Sequence, residues 1–221
     1  MTFRAKLVAF LIFIQAATAF AQTAFENTLK LYQSEIGQQA QIYSGKQYKG
    51  YSFRIQNNAH AYFLSADWQK GRLWYNGLEY IDLSLKLDLV KQKLILKDDY
   101  RMIELATDLI DKFEIEEITF LKVSDSDQDP FFYQILAENE ESKLIKLTRK
   151  IIREDITRAV EGVKRSIETE NQYFINKGGA LIPINKKKEA VAILGKEYSK
   201  KDFRTRPDEY LIELFKNTVL Q

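Results

Sequence analysis

The chain has 221 residues and no cysteine, and its 33 Lys and Arg exceed its 31 Asp and Glu by two. The missing thiols exclude disulfides, thiolate nucleophiles and thiolate metal sites. The near balance of charge excludes a general attraction to nucleic acid or anionic lipid, so we expect no nucleic-acid partner.

A secretory signal peptide is predicted for residues 1–21. Arg4 and Lys6 give it a basic start, and residues 7–14 are wholly apolar. The A-x-A sequence Ala19-Phe20-Ala21 then places the cleavage site after Ala21. No later segment approaches the roughly 20 unbroken apolar residues of a membrane helix, so we expect no transmembrane span after signal removal.

The mature chain, residues 22–221, is expected to fold as a single sheet-rich globular domain. Its 200 residues are enough for one hydrophobic core. Loss of Arg4 and Lys6 leaves 31 basic and 31 acidic residues, so the small positive charge belongs to the signal. We expect an exported protein that is located in the periplasm or at the cell surface.

A helix and an aromatic segment are predicted to open the mature chain. Residues 23–36 place apolar side chains along one helical face. Residues 42–63 then carry six Tyr and Phe residues among glycines and asparagines, which suggests loops and short strands. These rings could line a sugar-binding face or pack over the open end of a sheet. The candidate ligand-binding residues from this segment and the stretch after it are Tyr48, Tyr51, His60, Tyr62, Trp68 and Trp74.

The stretch from residue 68 to residue 96 is predicted to form the centre of an antiparallel sheet. Asn76-Gly77 suits a two-residue hairpin turn, because both residues tolerate positive φ. Alternation with a period of two follows the turn and predicts one unbroken apolar face over residues 81–89. Gly71 and Gly77 are expected to be turn positions that bracket the first strand.

Further strands and two short helices are predicted in the rest of the chain. The extended segments are residues 102–105 after a turn at Asp98-Asp99, then 109–120, 131–137, 143–152, 173–175 and 180–184. The apolar residues at 105, 109, 110 and 113 would also suit a helix. Residues 151–167 fit either a helical stripe or long exposed strands, and both alternatives stay open. A helix led by Lys186 ends at Gly195, and Pro207 opens the last helix.

These elements predict an α+β fold that is mainly antiparallel β. We expect the sheet to be a curled meander or incomplete barrel, with an N-terminal helix before it and two short C-terminal helices after it.

Several spaced motifs resemble a group of exported Bacteroidota proteins that has no assigned activity. The most distinctive motif is Trp68-x-x-Gly71-x-Leu73-x-Tyr75-x-Gly77-x-x-Tyr80, followed by Leu85-x-x-Asp88. The other matching segments are residues 42–48, His60-Ala61-Tyr62-Phe63, Phe132-Tyr133-x-Ile135-Leu136, Tyr173-Phe174-x-x-x-Gly178 and the closing segment from Phe203 to Phe215. The resemblance spans residues 41–219. It implies an exported, sheet-rich domain and supplies no catalytic residues.

Catalytic signals in the sequence are weak. His60 is the only histidine, so a Ser-His-Asp mechanism would have to use it, and a zinc site of several histidines is excluded. Asp82 and Asp88 are expected to share one strand face about 20 Å apart, too far to flank one glycosidic bond. Adjacent pairs such as Glu116-Glu117 would point in opposite directions from a strand. We therefore predict no catalytic residues, and a hydrogen-bonded structural role for His60.

Metal and phosphate signals are also weak. Asp125, Asp127 and Asp129 suggest calcium, but an EF-hand loop would need Gly and Glu where Pro130 and Leu136 stand. A looser calcium site or a solvated acidic turn remains for this segment. We predict no metal and no cofactor.

The leading functional hypothesis is a non-enzymatic envelope module that binds another envelope protein or a glycan. The first alternative is a carrier that holds a lipid or glycan in the curled sheet. A carboxylate-dependent hydrolase is the second alternative, because carboxylates brought together only by folding cannot be recognised in the sequence.

Overall fold

The computed structural model describes residue 37 and residues 40–123, 131–156, 162–184 and 199–219. The predicted signal peptide, the helix over residues 23–36, the acidic segment 124–130 and the helix led by Lys186 lie outside these residues. Two compact units divide the chain, one ending at Ser44 and the other beginning at Gly45. In the first unit the described residues include a short 3-10 helix, Ile42–Ser44.

One antiparallel sheet forms the described part of the second unit, as the period-two patterns predict. Its strands follow the order β1-β5-β4-β3-β2-β6-β7-β8-β9-β10-β11. The strands are β1 (Lys46–Gln47), β2 (Gln69–Tyr75), β3 (Leu78–Asp88), β4 (Lys93–Lys97), β5 (Met102–Glu104), β6 (Ile110–Ile115), β7 (Ile118–Val123), β8 (Phe131–Glu138), β9 (Ser142–Asp155), β10 (Lys164–Lys177) and β11 (Ala180–Pro183). Two 3-10 helices, Gln56–Asn58 and Thr107–Leu109, lie in the connections.

Two helices follow the sheet, α1 (Lys200–Thr205) and α2 (Pro207–Val219). The Ser199 side chain accepts a hydrogen bond from the Asp202 amide and so caps α1. Pro207 opens α2 as predicted, because proline has no amide proton to leave unbonded in a first helical turn. Neither described helix combines the length and the apolarity that crossing a membrane requires.

Helix α2 packs its apolar side on the last strands of the sheet. Leu211 and Phe215 are buried in one cluster with Leu144 of β9 and Ile175 of β10. At the start of α2, Asp208 accepts hydrogen bonds from Tyr173 Oη (2.6 Å) and Lys146 Nζ (2.7 Å). The helix is therefore attached by apolar contact along its length and by a charged group at its first turn.

The predicted hairpin between β2 and β3 is confirmed, but its second strand contains a bulge. Asn76 and Gly77 have φ of 51° and 76°, as the turn requires. Gly71 faces Leu83 whereas Leu73 faces Tyr80, so β3 has one extra residue, and Asp82 takes a φ of 54°.

This bulge makes the predicted unbroken apolar face wrong. An extra residue reverses the alternation, so Ile81 is 61% exposed while Leu85, Leu87 and Leu89 are buried. The turn predicted at Gly71 is wrong as well, because Gly71 lies inside β2. A Cβ there would lie 2.6 Å from the Glu114 carbonyl oxygen, so close packing against β6 selects glycine.

The structure departs from the prediction at residues 109–120 and decides between the two alternatives at the described part of residues 151–167. Residues 109–120 form the β6–β7 hairpin rather than one strand, and Glu116 and Glu117 take the left-handed turn conformation with φ of 46° and 67°. Asn-Gly is the usual sequence signal for such a turn. Because a Glu pair carries no such signal, this turn is not predicted from the sequence. Residues 151–155 end β9 and residues 164–167 begin β10, so the strand alternative is confirmed for these residues.

Strands β3 and β9, which lie five places apart in the sheet order, meet at one point. The Lys150 amide of β9 donates to the Leu89 carbonyl just beyond β3 at 3.0 Å. The end of β3 is also bonded to residues 61–63, through the Phe63 amide to the Leu87 carbonyl (2.9 Å) and the Leu89 amide to the Ala61 carbonyl (2.9 Å). Residues 61–63 thus pair with the end of β3 on the part of its edge that β2 does not reach.

Candidate ligand-binding site

Residues 45–68, which we call the strap, comprise β1 and the long connection from β1 to β2. At its start β1 pairs with β5, and the Tyr48 amide donates to the Met102 carbonyl at 2.8 Å. Toward its end Tyr62 forms a β-bridge with Asp88. The strap is therefore held by backbone hydrogen bonds to β5 at one end and to β3 at the other.

Asp88 is the buried group that fixes the middle of the strap. Its side chain is 0% exposed. Its Oδ2 atom accepts from Tyr48 Oη at 2.6 Å and from Tyr51 Oη at 2.8 Å. Its Oδ1 atom accepts from the amides of Val90 (2.8 Å) and Lys91 (2.9 Å), which shapes the turn after β3. Both carboxylate oxygens are thus saturated by groups of the protein itself.

The two tyrosines remain hydrogen-bond donors under ordinary conditions. Burial, and then the hydrogen bond to Asp88, raises the pKa of Tyr48 and of Tyr51 far above the usual value. The Lys91 ammonium lies 4.8 Å and 4.7 Å from the centroids of the two rings. It also donates to the Lys49 carbonyl at 2.6 Å, so it fastens the strap as well. This arrangement anchors the strap and leaves Asp88 no oxygen for a substrate.

Lys86, which is on β3 two residues before Asp88, lies between aromatic rings at the end of the strap. Its Nζ atom is 4.4 Å from the centroid of Trp68 and 5.1 Å from that of Tyr62. Among the described residues no hydrogen-bond acceptor contacts this ammonium. Burial lowers the pKa of Lys86, while Asp67 opposes that shift and Lys97 adds to it. The rings hold an ammonium whose donors are unused by the described protein.

Lys150 adds positive charge to the same region, and His60 lies beside it. The His60 ring stacks on Tyr62 at a centroid distance of 6.3 Å. Lys150 Nζ donates to the carbonyls of His60 (2.8 Å) and Tyr62 (2.7 Å). The Nδ1 atom of His60 is buried without a hydrogen-bond partner among the described atoms. Burial first, and then the charge of Lys150, lowers the pKa of His60 below its usual range.

The lowered pKa of His60 predicts a loss of stability in mild acid. The groups that act on this ring are Lys150, Lys86, Asp67 and the Tyr62 backbone, and the two lysines outweigh Asp67. The unfolded chain binds a proton at the usual pKa of about 6.5, before the folded chain does, so stability decreases as pH falls below that value. We expect the free energy of unfolding to fall more between about pH 7.5 and about pH 5.5 for the wild type than for His60→Gln. Urea titrations at the two pH values measure this, and equal decreases would contradict the prediction.

The structure gathers five of the six candidate residues and separates the sixth. Those gathered along the strap are Tyr48, Tyr51, His60, Tyr62 and Trp68. Trp74 lies at the opposite end of β2 from Trp68, about 20 Å away along the strand. There Lys112 Nζ is 3.9 Å from the centroid of the Trp74 ring and borders an open polar groove of about 470 Å³.

Sequence reasoning missed the groups that organise these rings, which are Lys86, Asp88, Lys91 and Lys150. In the sequence Asp88 stands out as the end of the Leu85-x-x-Asp88 motif and as one member of a carboxylate pair, and neither feature predicts its place under the strap. Two sequence features could indicate the site: Asp88, which forms a turn, and the high density of aromatic residues before Trp68. Nothing in the sequence indicates that Lys150, about 90 residues from the strap, bonds to it.

The described residues contain no group of three or more His, Cys, Asp or Glu side chains that could hold a metal ion. Asp125, Asp127 and Asp129 lie outside those residues, so the looser calcium site stays a prediction.

No family model matches the sequence, no curated protein matches it, and no solved structure matches its fold.

Proposed function

We propose that this chain is an exported, non-enzymatic envelope protein that binds its ligand at the end of the strap, beside Tyr62, Trp68 and Lys86. The proposal includes the cleaved signal peptide, the kinship with the Bacteroidota group and a sheet that curls into an incomplete barrel. The bond from Lys150 to Leu89 supports the curl, because it joins strands that are five places apart.

One observation carries the proposal: the aromatic residues of the strap have different roles along its length. Tyr48 and Tyr51 point at Asp88 and fix the strap to the sheet. Tyr62 and Trp68 contact Lys86 through their rings and are only partly buried, and the Tyr62 hydroxyl also acts on Tyr48 as a hydrogen-bond partner. A rigid aromatic surface that carries a few placed polar groups is the usual composition of a ligand site. A strap held this firmly would also lose little conformational entropy on binding.

The two alternatives receive less support from the described residues. A hydrolase needs a carboxylate that can reach its substrate, and both oxygens of the buried Asp88 are occupied. A carrier needs an open apolar space against the sheet. Phe113 instead packs on Phe120 and on Phe132, with centroids 4.9 Å and 5.0 Å apart. These three rings therefore occupy a part of the sheet face where a carrier would need open space.

Binding on the strap is tested by comparing Trp68→Ala with Trp74→Ala on a panel of immobilised envelope polysaccharides. We expect the wild type to bind at least one polysaccharide, Trp68→Ala to lose at least about tenfold in affinity and Trp74→Ala to keep it. Soluble products released by the wild type are measured in parallel, and none are expected. Equal losses in both variants, or turnover of the polysaccharide, would overturn the proposal.

A further inference from the structure

We propose that the strap recognises an acidic saccharide, with Lys86 binding its carboxylate and Trp68 contacting its ring. This inference rests on the function proposed above and names the class of ligand. The geometry that points to it is an ammonium held between two aromatic rings without an acceptor among the described residues.

The hydrogen-bonding state of Lys86 distinguishes it from the other strap lysines. Lys91 and Lys150 are each hydrogen-bonded to backbone carbonyls, so their ammonium groups hold the strap. Lys86 is partly buried and its contacts are the Trp68 and Tyr62 rings. A ring face attracts a cation but leaves its N–H donors unpaired, and a partly desolvated cation gains most from an anionic acceptor. A carboxylate would supply that acceptor.

The surrounding charge favours an anion over a neutral ligand. His60 lies within the fields of Lys150 and Lys86, and Lys97 acts on Lys86 in the same sense. Asp67 and Asp88 offset part of this charge. The Asp67 carboxylate already accepts from the Ser65 hydroxyl at 3.2 Å, and that of Asp88 accepts from two strap tyrosines. The local excess of positive charge contrasts with a mature chain of zero predicted net charge. An anion bound beside Lys86 would relieve the repulsion among these groups.

The aromatic residues favour a saccharide over a simple anion. The Trp68 and Tyr62 rings both lie against the charge, so an anionic ligand on Lys86 would also meet flat apolar surface. A pyranose ring with a carboxylate substituent offers both, because its C–H face packs on an aromatic ring while its acid group pairs with the ammonium. Inorganic phosphate would use the charge alone.

The test measures calorimetric binding of a galacturonic acid oligosaccharide, its fully methyl-esterified form and inorganic phosphate to the full mature chain. We expect the acid to bind, and the ester and phosphate to bind at least about tenfold more weakly. Binding of the acid should weaken as salt is raised. Equal binding of acid and ester would overturn this inference while leaving the proposed function intact. Phosphate binding as tight as the acid would show a plain anion site, and an acid that does not bind would also overturn the inference.

Variants at Lys86 separate recognition from folding. Lys86→Gln should lose about tenfold to a hundredfold in affinity for the acid, because a charge-assisted hydrogen bond is lost. Lys86→Arg, which keeps both the charge and the ring contact, should retain most of it. Lys112→Gln removes the matching lysine over Trp74 and should leave affinity unchanged. Asp67→Asn should increase affinity. Equal affinities for Lys86→Gln and Lys112→Gln would contradict the role of Lys86.

Discussion

Replacing Asp88 by Ala should lower the free energy of unfolding by about 3–5 kcal/mol. The substitution leaves the hydroxyls of Tyr48 and Tyr51 and the amides of Val90 and Lys91 without their acceptor. Asp88→Asn should cost less, because one amide oxygen can still accept while its NH₂ group faces the tyrosine donors. Chemical denaturation followed by tryptophan fluorescence measures the difference.

The matched control for this prediction is Asp99→Ala. Asp99 is exposed in the turn before β5, and its loss should change stability by less than about 0.5 kcal/mol. A double-mutant cycle between Asp88→Asn and Tyr48→Phe should show coupling of at least about 1 kcal/mol, since the two side chains share a hydrogen bond. A stable Asp88→Ala variant with an unchanged unfolding midpoint would show that the carboxylate does not anchor the strap.

Phe113→Ala should be the most destabilising substitution in the aromatic cluster, at about 3–5 kcal/mol. Phe113 is fully buried on β6, stacks on Phe120 and contacts the edge of Phe132. Truncation removes both ring contacts and leaves a cavity that the paired strands cannot close. Unfolding by urea, monitored by circular dichroism, gives the free-energy difference.

Tyr100→Ala removes an aromatic ring of similar size from a position that is 94% exposed. It should change stability by less than about 0.5 kcal/mol. If the two substitutions had similar effects, Phe113 would not be a core residue and the described packing would be wrong.

Much of the sheet could be predicted from local sequence because the signals there are strong. Asn76-Gly77 and Gly178-Gly179 supply the positive φ that tight hairpins need, and all four residues take it. The turn at Glu116-Glu117 and the extra residue at Asp82 cannot be predicted from the sequence. Glu rarely adopts a left-handed conformation, and Asp adopts it only occasionally. One missed bulge was enough to place Ile81 on the wrong face.

The sequence predicts only part of the candidate site, and the reason differs from that for the sheet. Aromatic density before Trp68 drew attention to Tyr48, Tyr51, His60 and Tyr62 without separating the rings that bond to Asp88 from those beside Lys86. That separation depends on Asp88, whose position under the strap follows from the pairing of β3 with residues 61–63. Trp74 was grouped with Trp68 by residue type, whereas the length of β2 keeps the two apart.

The location of the ligand can be measured directly because the chain contains two tryptophans, Trp68 and Trp74. Fluorotryptophan labelling gives each ring its own fluorine NMR signal, and Trp→Phe substitutions assign the two signals. On titration with the galacturonic acid oligosaccharide, we expect a saturable shift of the Trp68 signal and an unchanged Trp74 signal. A saturable shift of Trp74 alone would instead place binding at the groove beside Lys112. That result would contradict the assignment of the strap as the binding surface.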